Sequence, residues 1–112
     1  MDHQEFAKRM KSALQAKSEG RLEDSASELR AVLRDLPPAA KIGVNEWHYQ
    51  QTLGLLVEVL DQAGNEHDCR AAWLELIQVT ERENAYWREA LASVRGDFDR
   101  WNLAHPSERK SK

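Results

Sequence analysis

Thr52-Leu53-Gly54-Leu55-Leu56-Val57-Glu58-Val59-Leu60-Asp61-Gln62-Ala63, closed by Gly64, decides the fold of this chain. Leu53, Leu56, Val57 and Leu60 recur at helical spacing on one face, and Leu55 and Val59 carry the apolar surface round to a second. A helix that is apolar on two sides needs partners on both, so this stretch belongs in the middle of a helical domain.

Working upstream, Asn45 is placed to cap this central helix, with Trp47 and Tyr49 in its first turns. Residues 37 to 43 read as a linker opened by Pro37-Pro38, where neither a backbone donor nor a preceding α conformation is available. Before it, Leu22, Ala26, Leu29, Val32, Leu33 and Leu36 form the stripe of one helix. Phe6, Met10, Ala13 and Leu14 form that of another, running from the N-cap Asp2 to about Ser18. Gly20 separates the two by so short a turn that they must lie antiparallel.

Downstream, Gly64-Asn65 makes the next turn, and Cys69, Ala72, Trp73, Leu76 and Ile77 mark a fourth helix, which completes a second antiparallel hairpin. The stripe Trp87, Leu91, Val94, Phe98, Trp101 then continues with steps of four and three. Two architectures compete for this last part. In one, Thr80-Glu81-Arg82-Glu83 is a capping box that starts a separate helix folding back over the hairpins. In the other, a single helix of nearly the whole segment from Glu66 projects and pairs with a second chain. Thr80 and Asn84 put polar groups at the seam where a continuous coiled coil wants apolar ones, which favours the break. The expected organisation is one all-α domain over residues 1 to 105: hairpin 2–36, linker 37–43, hairpin 44–81 and an amphipathic C-terminal helix 82–104, with 106–112 a flexible tail.

Composition agrees with this. At 112 residues the chain forms one domain that needs neither metal nor disulfides to fold. Its 41% hydrophobic and 31% charged residues, with three prolines and five glycines, suit a soluble helical protein. The lone Cys69 has no internal disulfide partner, and no signal peptide or membrane-length apolar run is present, so a cytoplasmic protein is expected. Between residues 42 and 81 a single base, Arg70, faces seven acids: Glu46, Glu58, Asp61, Glu66, Asp68, Glu75 and Glu81. That field repels phosphate backbones and attracts a basic or amide-rich protein surface, although it also serves simply to solvate the fold. Lys8, Arg9, Lys11 and Lys17 on the first helix are diluted by acids and lack interleaved aromatic rings, so no nucleic-acid partner is expected.

Setting Gly20 and Gly64 equivalent aligns Ser25 with Cys69, Leu29 with Trp73, Val32 with Leu76 and Leu33 with Ile77. This order of small, large and aliphatic residues, the Leu53-Gly54 pair and the position of Pro37 resemble the tetratricopeptide-repeat family over roughly residues 6 to 81. The interval between the two glycines is longer than that family's repeat. The resemblance implies two stacked hairpins capped by the last helix, with a groove lined by the first helix of each pair. It assigns to that groove Met10, Leu14 and Lys17 from the first hairpin and Gln51, Glu58, Asp61 and Gln62 from the second.

Glu58, Asp61 and Gln62 also share a face by spacing alone, and their carboxylates and amide suit capture of lysine, arginine or backbone groups. Paired carboxylates can act as general acid and base, but no histidine lies nearby in sequence, and no enzyme activity is expected. His67, Asp68 and Cys69 are adjacent, so on a helix they diverge and cannot converge on a metal. No cofactor is expected. Of the four tryptophans, Trp73 reads as core; Trp101 is the best candidate among them for a surface anchor, although terminal packing is favoured slightly over that role. The function expected is therefore an adaptor- or chaperone-like module that binds a basic or polar protein segment. The alternatives are an immunity- or antitoxin-type protein that covers a basic toxin, and a homodimer formed through the Trp87 to Trp101 stripe.

Overall fold

The computed structural model describes residues 3–36, 44–81 and 88–105. They form five helices: α1 (His3–Ser18), α2 (Leu22–Asp35), α3 (Val44–Gln62), α4 (Glu66–Glu81) and α5 (Arg88–Ala104). Each helix packs on the next in chain order, and α1 also reaches α3. The result is an all-α fold of stacked hairpins in which α3 is held by α2 on one side and α4 on the other, as its two apolar faces require.

Both hairpin turns are built in the same way. Gly20 and Gly64 take φ of 79° and 75°, a region that side chains with a Cβ avoid. Around Gly20, the Arg21 amide donates to the Ala16 carbonyl at 2.9 Å and the Gly20 amide to Lys17 at 3.1 Å. Around Gly64, the Asn65 amide donates to Leu60 at 3.0 Å and the Gly64 amide to Asp61 at 3.1 Å. These are two Schellman endings, each satisfying carbonyls that the helix leaves open. Asn65 then caps α4 by accepting the Asp68 amide on Oδ1 at 3.2 Å. At the other end of the first hairpin, Leu36 is extended (φ −75°, ψ 147°), the conformation that a following proline imposes.

The core follows the sequence stripes closely. Leu55, Leu56, Val57, Val59 and Leu60 of α3 meet Ala13, Ala26, Leu29, Cys69 and Ala72, while Leu53 turns to Leu76 and Val79 of α4. Phe6, Val32 and Leu36 close the far end of the first hairpin. Two buried side chains repeat one another: Ser25 Oγ donates to the Ala13 carbonyl at 2.8 Å, and Cys69 Sγ to the Val57 carbonyl at 3.5 Å. The two bonds are related by the same offset as Gly20 and Gly64, so the pairing of Ser25 with Cys69 is physical as well as formal.

Helices α4 and α5 run antiparallel. Arg70 near the start of α4 donates to Asn102 Oδ1 at 2.7 Å and to the His105 carbonyl at 2.9 Å, both at the end of α5. Glu81 at the end of α4 pairs with Arg95. Trp73 and Phe98 pack between these two contacts, with ring centroids 6.0 Å apart.

Three local expectations are corrected. Asn45 is the second residue of α3, inside the helix and not before it, since the helix begins at Val44. Thr80 lies inside the last turn of α4, buried, and its hydroxyl donates back to the Leu76 carbonyl at 2.8 Å, so it does not open a new helix. Leu14 is half exposed and stands off the core face of α1. The Asp2 cap, the linker 37–43, Arg82, Glu83, Asn84, Trp87, the tail 106–112 and the side chains of Trp47 and Leu91 lie outside the described residues.

Candidate functional site

Along α3, Gln51, Gly54, Leu55 and Glu58 stand three or four residues apart and form one stripe. On α1, Met10 and Leu14 make the corresponding pair. Together with Gln50, Leu76 of α4 and Val94 of α5, these residues line an open groove of about 550 Å3. Helix α3 is its floor, and α1 and α5 contribute to its sides.

Its character is mixed. Met10, Leu14, Leu55, Leu76 and Val94 offer apolar surface, with Leu14 50% exposed. Gln50, Gln51 and Glu58 supply the polar groups. Glu58 keeps 64% of its side chain in solvent, and its partner Lys17 approaches only to 3.9 Å. An exposed pair at that distance is worth at most about 1 kcal/mol, so Glu58 exchanges one cation for another at little cost. Gly54 is the unusual element. In the middle of a helix, glycine is about 1 kcal/mol less favourable than alanine, yet a Cβ at this position would meet no atom of the described residues within 4 Å. Among the described residues there is no packing reason for its absence.

Besides Met10 and Leu14, the expected site residues fall into three groups. Gln51 and Glu58 line the groove, and Lys17 sits at its margin through Glu58. Gln62 is exposed but outside the groove lining. Asp61 and Trp101 are brought together elsewhere: the indole Nε1 donates to Asp61 Oδ1 at 2.8 Å, and Trp101 is buried at 9% exposure. The Arg70 guanidinium lies 4.8 Å from the centre of the indole ring. His105 stacks on the indole at 4.4 Å, placing Nε2 3.7 Å from Asp61 Oδ1. Trp101 thus takes the terminal-packing role, fastening the end of α5 to α3 and α4.

Sequence reasoning missed Gln50, Gly54 and Leu55 as floor residues and Val94 as a side residue. The first three were open to it, since they neighbour Gln51 and Glu58 at helical spacing. Val94 depends on where α5 docks, which no local pattern states. His48 was missed as well. It is 2% exposed, stacks on Phe6 with centroids 4.0 Å apart, and places Nε2 3.2 Å from His3 Nδ1. Desolvation, and then the neighbouring His3, push its pKa below the ordinary histidine value.

Burial first, and Asp61 second, push the Cys69 thiol up to about 12, so it stays protonated at neutral pH. Among the described residues, no three histidine, cysteine or acidic side chains are grouped to hold a metal ion. Nor is any described helix long and apolar enough to cross a membrane. Comparison with family models, curated proteins and solved structures gives no match to this chain.

Proposed function

We propose that this chain is a non-catalytic protein-interaction module, adaptor- or chaperone-like, that takes a basic or polar segment of another protein in the groove over α3. The single observation that carries the reading is the coincidence, in one groove, of half-exposed Leu14, solvent-exposed Glu58 and a Gly54 whose Cβ position no described residue fills. An exposed leucine among partly buried apolar residues, beside a weakly engaged carboxylate, gives a partner both area to bury and a charge to read. The carboxylate pair considered for acid–base chemistry is divided between two tasks, with Asp61 accepting the indole of Trp101.

A tetratricopeptide-like arrangement is part of this proposal. It is supported by the two matching Schellman turns and by the matched Ser25 and Cys69 bonds. A groove made by the first helix of each hairpin and the helix that follows is the binding surface such a stack offers. Leu53-Gly54 departs from the family register, lying about three residues too far from Gly64, and Gly54 lines the groove.

The test is site-specific photo-cross-linking in the native host, with the photoreactive residue at Leu14 or Gln51. A discrete adduct that disappears when Gly54→Leu or Glu58→Lys is added supports the reading. Adducts unaffected by both changes would remove it.

A further inference from the structure

We infer that the occupant of this groove is an amphipathic α-helix, apolar side down, carrying a lysine or arginine that replaces Lys17 as the counter-ion of Glu58; this rests on the binding-module reading above. The first argument is backbone satisfaction. An extended segment laid on the floor would bring unpaired N–H and C=O groups against Leu14, Leu55 and Val94, where the groove offers only a few side-chain amides and one carboxylate in exchange. A helix pairs its own backbone and presents only side chains, so an apolar groove selects it.

The second argument is Gly54. A helix-interior glycine whose Cβ position meets no atom of the described residues within 4 Å lets another helix approach until side chains pack against bare backbone, which a large side chain would prevent. The third is charge. Glu58 lies four residues beyond Gly54, one turn along the floor, on a helix whose last turn contains no basic residue. A cation on the occupant, one turn from its contact with Gly54, therefore meets a carboxylate whose own partner stands off at 3.9 Å.

Two display libraries of peptides about 16 residues long, roughly four helical turns, test this. They share one Leu, Ala, Lys, Gln composition, with leucines at helical spacing in the first and at strict alternation in the second. Both are selected on the intact wild-type protein. The expected result is enrichment from the helical library alone, with selected peptides losing at least ~10-fold in affinity on Gly54→Leu and on Glu58→Lys, while Gly54→Ala has a smaller effect. Enrichment only from the alternating library, still sensitive to Gly54→Leu, would overturn the helix and leave the binding module standing. No enrichment from either, or binding indifferent to Gly54→Leu, would overturn both. Light scattering on the protein alone covers a further case: a self-complex abolished by Gly54→Leu would seat a second copy in the groove and overturn the basic-helix assignment.

Discussion

Trp101 and Asp61, 40 positions apart in the chain, are joined by a 2.8 Å hydrogen bond from the indole Nε1 to Oδ1 that fixes the end of α5 over the end of α3. Arg70 and His105 close around the same ring, so one aromatic side chain ties α3, α4 and α5 together. The bond also settles how the acidic residues of α3 divide their work: Asp61 holds the fold, and Glu58 faces the groove.

Truncating this ring should be costly. Trp101→Ala is expected to lower stability by about 3–5 kcal/mol, the range for a buried tryptophan. Asp61→Ala, which leaves the indole donor without its acceptor, should cost about 1–3 kcal/mol. Urea unfolding followed by far-ultraviolet circular dichroism measures both. An unchanged midpoint for Trp101→Ala would show that α5 is not fastened through this residue.

Glycine replacements should split by sign. Gly20→Ala and Gly64→Ala force a Cβ into left-handed backbone and are expected to destabilise by about 1–2 kcal/mol each. Gly54→Ala, in a helix with open space at its Cβ, should stabilise by up to about 1 kcal/mol. Thermal unfolding of the three variants checks the pattern, and a destabilised Gly54→Ala would mean that the groove floor is already packed in the free protein.

The pH dependence of stability should carry the signature of His48. Its pKa in the fold is depressed by burial, so above the unfolded value near 6.5 both states are neutral and stability is at its full level. As pH falls below that value the unfolded chain takes up the proton first, and stability declines until the folded pKa is reached. Urea midpoints between pH 7.5 and 5 should show this decline for wild type and a flatter profile for His48→Gln. An equal slope in both would assign the effect to other groups.

Cys69 should behave as a core residue. With its thiol pushed up to about 12, it is expected to resist a thiol-specific reagent at pH 8 in the native state and to react promptly in denaturant. Cys69→Ser, which reproduces at this position the hydroxyl that Ser25 uses in the first hairpin, should fold with a modest loss of stability. Rapid native labelling would show that the second hairpin opens readily.

Much of this fold was legible because its signals are local. The two-sided stripe of α3 placed that helix at the centre, and the glycines and Pro37-Pro38 marked where helices end. The pairing of Ser25 with Cys69 was readable from the turn glycines alone. The site was harder. Spacing put Gln51 and Glu58 on a common face, but the same spacing gave Asp61 and Gln62 equal standing, and only the docking of α5 distinguishes them. Trp101 stayed open between anchoring and packing for the same reason: the stripe on α5 is identical whether it faces a partner chain or turns inward against Trp73 and Asp61. His48 gave no signal because its partners Phe6 and His3 come from the far end of the sequence.

The most direct measurement is the affinity of whichever partner cross-links at Leu14, determined by calorimetry against wild type and Gly54→Leu. A groove that binds its partner over α3 predicts at least a ~10-fold weaker Kd for the variant, about 1.4 kcal/mol, with a Tm no lower than wild type. An unchanged Kd in a folded Gly54→Leu protein would contradict it and move the binding surface elsewhere on the molecule.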